Sequence, residues 1–194
     1  PAAWCPASIG FGETAQCSIE GVAEADSYTF SGNAGDRVLV RMSRSSGSLI
    51  SWIRIYGPGG VLVPSCQAEG AATEIASCTL ASSGSHTILA ADYYGIYTGD
   101  YNIYLQRLNN PGSPVPIAFG QTLTGAISGV AEGDAYTFSA GAGDRVLVRM
   151  SRSSGTLISW IRVYGPDGVA VPGCQAQGSA TEIASCSLSS SGTH

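Results

Sequence analysis

The sequence contains no lysine. All nine of its cations are arginines, and against fourteen acidic residues they leave a net charge of −5. A chain of this charge is excluded as a nucleic-acid binder, because phosphate recognition needs clustered positive charge. Lysine–asparagine isopeptide crosslinks cannot form, and lysine-directed proteases find no site. Charged residues make up 12% of the chain, against a usual share of roughly 25%. Much of the surface must then be neutral, and neutral surfaces tend to associate. No apolar run approaches the roughly 18 residues that a membrane-spanning helix needs. No signal peptide is visible and Pro1 is not a translation start, so the chain reads as a mature product or a fragment.

Reactive side chains are equally scarce. Histidine occurs twice, as His86 and His194. No glycine-rich loop opens a helix, so there is no phosphate cradle. The acids are scattered over turns and define no paired-carboxylate cleft. Catalysis and a cofactor are therefore not expected.

What the sequence does have is cysteine, glycine and a repeat. The six cysteines fall as Cys5/Cys17, Cys66/Cys78 and Cys174/Cys186, each pair twelve positions apart. The CxxC spacing and nearby histidines of a zinc site are missing. Cys66/Cys78 recurs intact as Cys174/Cys186, so each copy can close its own bridge, and Cys5 is left with Cys17. Three local disulfides imply an oxidising compartment. The Cys66–Cys78 bridge is expected to staple a hairpin whose loop includes Gln67–Ala72.

Residues 21–86 align without a gap to residues 129–194, with 52 of 66 positions identical. An apolar content of 44% supports folded cores. Strands are predicted near Ala15–Glu20, Asp26–Ser31, Arg37–Ser43, Leu49–Tyr56, Val61–Pro64, Glu74–Leu80, His86–Ala91 and Tyr101–Arg107. Tyr28/Phe30, Val38/Val40/Met42, Ile53/Ile55 and Tyr101/Ile103/Leu105 alternate as half-buried strands do. Turn chemistry falls at residues 32–36 and 57–60. No stretch has a helical period. The expected fold is all-β, with tandem antiparallel β-sandwich, jelly-roll-like domains.

Residues 1–108 form the first repeat, 109–116 a stiff proline-rich linker, and 117–194 the second repeat. The second copy has no equivalent of residues 87–108, so it is expected to be incomplete at its C-terminal side. Further repeats beyond residue 194 are the first explanation. Strands supplied by a neighbouring molecule or a cut chain are the alternatives.

The order Asp26-x-Tyr28-Thr29-Phe30, Ala34-Gly35-Asp36-Arg37-Val38, Ile53-x-Ile55-Tyr56-Gly57-Pro58-x-Gly60, Ser83-Gly84-x-His86-Thr87-Ile88 and Thr98-Gly99-Asp100-Tyr101-x-Ile103-x-Leu105 resembles the bacterial pre-peptidase C-terminal domain. That resemblance implies a β-sandwich attached to secreted hydrolases or large surface proteins, and an extracellular or cell-surface bacterial location. It also implies that His86 is an ordinary strand residue. Relatives of the family that bind collagen look calcium-dependent. The corresponding acids here are Glu20, Glu24 and Asp26, against a requirement of about six to eight oxygen ligands.

Binding surfaces are the remaining candidates. If Ile53 and Ile55 face the core, Trp52 and Arg54 face outward, and Leu39 and Arg41 take the outward side of the adjacent strand. The second copy repeats this set as Leu147, Arg149, Trp160 and Arg162. Tryptophan with arginine is the composition of interaction hot spots, and the two can stack. A register slip of one residue would instead turn Trp52 inward. Tyr93, Tyr94 and Tyr97 can stack on sugar rings or pack the strand end. The expected function is a structural repeat of a self-associating array, stalk or filament, whose partners are further copies of the repeat. The alternative is an accessory module of a secreted hydrolase that recognises polysaccharide or collagen.

Overall fold

The computed structural model describes residues 5–194. The chain divides into two compact units, Pro1–Ser113 with Ala126–Ala135, and Pro114–Gly125 with Tyr136–His194. Sequence repetition alone places a single boundary at the linker. The structure instead folds residues 126–135, which belong to the second repeat by sequence, as part of unit 1.

Among the described residues, unit 1 contains eight strands, β1 (Glu13–Ile19), β2 (Ala25–Gly32), β3 (Arg37–Arg44), β4 (Ser51–Tyr56), β5 (Leu62–Gly70), β6 (Ala72–Thr79), β7 (Gly84–Asp92) and β8 (Gly99–Arg107). They form two four-stranded sheets, ordered β1-β8-β3-β6 and β2-β7-β4-β5. All pairings within both sheets are antiparallel. Tyr28 and Phe30 of β2, Val38, Val40 and Met42 of β3, Ile53 and Ile55 of β4, and Tyr101, Ile103 and Leu105 of β8 are all buried in one core. The period-two pattern therefore puts the apolar set of each strand on the facing sides of the two sheets.

Two local expectations change. The run expected as Val61–Pro64 followed by a loop is one long edge strand reaching Gly70. Cys66 and Cys78 consequently lie on β5 and β6, which are consecutive in sequence but belong to different sheets. Their bridge clips the two sheets together at one edge instead of closing a hairpin. Cys5–Cys17 and Cys174–Cys186 are also bonded, with Cα separations of 5.3 and 5.2 Å, inside the usual range for disulfides.

Unit 2 contains the short strands β9 (Val115–Pro116), β10 (Tyr136–Thr137), β11 (Ser139–Ala140) and β16 (Gly192–Thr193). Its longer strands are β12 (Arg145–Ser151), β13 (Ser159–Tyr164), β14 (Ala170–Gly178) and β15 (Ala180–Ser187). They pair as β10-β9, β11-β16, β12-β15 and β13-β14. The β12/β15 and β13/β14 ladders reproduce β3/β6 and β4/β5, including both register shifts. Counterparts of β1 and β8 are missing from the described residues of this unit. The packing difference is visible at matching positions: Tyr28 is fully buried, whereas its equivalent Tyr136 is 39% exposed. A smaller core of Val146, Val163, Cys174, Ile183, Cys186 and Leu188 remains.

Candidate functional site

Two outward-facing surfaces of unit 1 carry the residues singled out by sequence. The first lies on β4 and the end of β7. On β4, Ser51, Ile53 and Ile55 are buried and Trp52, Arg54 and Tyr56 point the other way. The Arg54 guanidinium carbon lies 3.5 Å from the Trp52 ring centroid. Arg162 covers Trp160 in the same manner at 4.0 Å, and Trp160 is half exposed. A planar cation over an indole face is favourable, and it fixes the ring's orientation.

Trp52 also begins a chain of edge-to-face aromatic contacts. It meets Tyr93 at 5.7 Å, Tyr93 meets Tyr94 at 5.1 Å, and Tyr94 meets Tyr97 at 6.2 Å. All three tyrosines are exposed. Asp92, itself buried, holds this loop. Its carboxylate accepts from the backbone amides of Ile50 at 2.8 Å, Ile96 at 3.0 Å and Tyr97 at 3.1 Å. Burial alone would raise the Asp92 carboxyl. The amides of Ile50, Tyr97, Ile96 and Gly95 outweigh that effect and hold it below its ordinary value. Sequence reasoning passed over Asp92, because nothing local distinguishes it from the other acids.

The second surface is the outer face of β6, β3 and β8. Opposed residues across these ladders are Leu39 and Gln106, Arg41 and Tyr104, and Arg41 and Glu74. Leu39, expected to be exposed, is 4% exposed, as is Tyr104. The reason is that this face is covered. Gln106 bonds Gly112 through both its amide nitrogen and its amide oxygen. Segment 126–135 lies over Arg41, Asn102 and Tyr104. Arg41 pairs with Glu74 at 2.7 Å and donates to the carbonyls of Ala131 at 3.2 Å and Glu132 at 3.4 Å. Asn102 donates to the Val130 carbonyl at 3.0 Å. A Cβ placed on Gly133 would sit 3.4 Å from the Tyr104 ring.

On unit 2 the corresponding pair Arg149–Glu182 is also formed, but its side chains are 70% and 40% exposed. Leu147 is 52% exposed. The same side chains are thus covered in one unit and open in the other.

The three acids considered for calcium have other tasks. The Glu24 carboxylate accepts from the amides of Glu20 at 2.6 Å and Gly21 at 2.5 Å, closing a turn. Asp26 accepts from the Tyr101 hydroxyl. Burial raises the Asp26 carboxyl, the Tyr101 bond opposes that, and Glu24 and Glu20 push it up further. Asp26 also lies near Cys5 and Cys17, but those sulfurs are joined to each other and offer no thiolate.

The histidines sit inside the fold. His86 is buried, stacked on Phe30 at 5.3 Å, and bonds the Gly84 carbonyl through Nδ1. His194 stacks on Phe138 at 5.5 Å in the same manner.

No family model and no curated protein matches the chain. Among solved structures it is similar to the pre-peptidase C-terminal domain of collagenase from Bacillus anthracis. The identity is 17%, the match covers 51% of this chain and 92% of that domain, and the TM-score is 0.42.

Proposed function

We propose that this chain is a stretch of a non-catalytic extracellular repeat array in which a loop of each repeat completes the face of the repeat before it. The observation that carries this reading is the covering of Arg41, Asn102 and Tyr104 by residues 126–135. Those residues belong to the second repeat by sequence and to unit 1 by folding. Such an arrangement couples successive repeats without lysine-dependent crosslinks, and disulfides that clip the sheets suit an oxidising exterior.

The test compares two exchanges at equivalent positions of the full chain. Gly133→Leu places a branched side chain against Tyr104. Ala25→Leu places the same side chain at the matching exposed position, the first residue of β2. Gly133→Leu is expected to lower the urea midpoint of the unit 1 transition and to raise amide exchange along β3 and β8, while Ala25→Leu leaves both unchanged. Equal, negligible effects of the two exchanges would defeat the reading.

One observation favours a second role, that of an accessory binding module. The ladder Trp52–Tyr93–Tyr94–Tyr97 presents aromatic edges and faces to solvent on a loop fixed by Asp92, a surface suited to the apolar faces of sugar rings. Tyr94→Ala would then abolish retention on insoluble polysaccharide with an unchanged melting temperature, and Trp52→Ala would abolish it with the fold intact. Retention on fibrillar collagen instead would assign the surface to a protein ligand.

A further inference from the structure

The loop that covers the outer face of unit 1 has a near-identical copy elsewhere in the chain. Residues 129–134 read Gly-Val-Ala-Glu-Gly-Asp, and residues 21–26 read Gly-Val-Ala-Glu-Ala-Asp. The two have the same shape. In the covering loop the Glu132 carboxylate closes on the amides of Ser128 at 2.7 Å and Gly129 at 2.6 Å, as Glu24 closes on Glu20 and Gly21. Ala131 and Ala23 both adopt a left-handed backbone, with φ of 70° and 61°. Non-glycine residues are uncommon there, so the shared value marks one specific conformation.

Their surroundings differ. Val130 is 49% exposed and Val22 is 70% exposed; Ala131 is partly buried and Ala23 exposed. The receiving face is duplicated too, with Arg149, Glu182 and Leu147 repeating Arg41, Glu74 and Leu39 on matching ladders. One copy of the loop–face pair is engaged within unit 1. The other loop and the other face are each open to solvent.

We propose that the loop Glu20–Asp26 of one copy of this chain docks on the β12–β15 face of a second copy, with the carbonyls of Ala23 and Glu24 accepting from the Arg149 guanidinium. The inference rests on the covering loop being a true structural contact, as read above. Ala25 stands where the covering loop has Gly133. A Cβ at that position meets its neighbour at ordinary van der Waals distance, so alanine is accommodated. The described residues of unit 2 offer the arginine, the glutamate and the leucine of the face, without counterparts of Asn102 and Tyr104. The contact between copies is therefore weaker than its template and dissociates on dilution. Loop and face are different surfaces, so the association is heterologous, head to tail.

Sedimentation velocity of the full chain over a concentration series tests this. Val22→Glu puts a charge into the docking loop, and Arg149→Glu removes the donor and sets a second carboxylate beside Glu182. Both positions are exposed, so both variants should fold. The wild type should show an average mass that rises with concentration, and each variant alone should stay monomeric. An equimolar mixture of the two should form dimers and nothing larger, because one partner retains an intact face and the other an intact loop. A wild type monomeric throughout, association insensitive to both substitutions, or a mixture that stays monomeric would each overturn the proposal. Since the Gly133→Leu comparison reads stability within one molecule, it can succeed when this experiment fails, and the two failures are told apart.

Discussion

Tyr101 donates its hydroxyl proton to Asp26 at 2.7 Å across 75 residues of sequence. That proton is its only one, so the 2.7 Å contact between Tyr101 and Tyr28 is a donation from Tyr28. Desolvation first, and then the Tyr101 hydrogen bond and the Asp26 charge acting in opposite senses, push the Tyr28 hydroxyl up to about 12. The Tyr101 hydroxyl is raised as well. Burial raises the Tyr104 hydroxyl too, so an absorbance titration should show three of the nine tyrosines, Tyr28, Tyr101 and Tyr104, failing to ionise with the rest. Tyr101→Phe leaves a part-buried carboxylate without its donor and is expected to cost about 2–3 kcal/mol, against about 1 kcal/mol for Tyr28→Phe. Urea melts that reverse this order would refute the donor assignment.

Asp26 and Asp92 predict pH effects of opposite sign. The Asp26 carboxyl is raised in the folded state, so its contribution to stability is full below the unfolded carboxylate value and is lost as pH rises through the raised one. Asp26→Asn should remove that decline while keeping an acceptor for Tyr101. The Asp92 carboxyl is lowered, so its contribution is present above the unfolded value and is lost as pH falls. Asp92→Asn is expected to cost about 2 kcal/mol at neutral pH, and the deficit should shrink towards acid. Stability curves of the two variants between pH 3 and 7 decide both signs; parallel displacement from wild type at every pH would contradict them.

Much of the architecture was legible because the strands of unit 1 alternate cleanly. In β2 and β4 the apolar residues Tyr28, Phe30, Ile53 and Ile55 are buried at alternate positions, and of the two orientations left open for Trp52 the structure has the outward one, with Arg54 beside it. Cysteine pairing followed from the repeat. Alternation tells which side a residue faces, however, and says nothing of what covers that side. Leu39 lies on the outer face of β3, as alternation predicts, and yet is buried; its ladder neighbour Gln106 is tied to Gly112, and Arg41, two residues on, lies under a segment more than eighty residues later. Asp92 escaped notice for a related reason: its main-chain partners include Ile50, and no spacing rule links those two positions. The stretch Gln67–Ala72 reads as a loop because an edge strand needs few apolar residues.

The Cys66–Cys78 bridge joins the two sheets at their β5/β6 edge. Replacing both cysteines with serine opens a twelve-residue loop in the unfolded chain and should cost about 3 kcal/mol. Because each unit carries its own clip, calorimetry should show one transition lowered and the other kept. Loss of both transitions together would mean that the units do not unfold separately.

Ser65 lies in β5 with a left-handed backbone, φ 61°, and its counterpart in β14 is Gly173 with φ 74°. The backbone shape is the same in the two units, but a side chain at positive φ crowds the neighbouring carbonyl, and glycine has no such clash. The second repeat has thus already made the exchange that relieves this position. Ser65 is exposed, and among the described residues no hydrogen bond of its hydroxyl offsets the conformational cost. Ser65→Gly gives the unfolded chain more freedom, which subtracts from the gain. The net effect should still be a stabilisation of about 0.5–1 kcal/mol, read as a higher urea midpoint for unit 1 with an unchanged slope. Gly173→Ser should lower the stability of unit 2 by a similar amount. If Ser65→Gly instead lowers the midpoint, the left-handed turn in β5 is held by its side chain and the equivalence of the two strands fails at this residue.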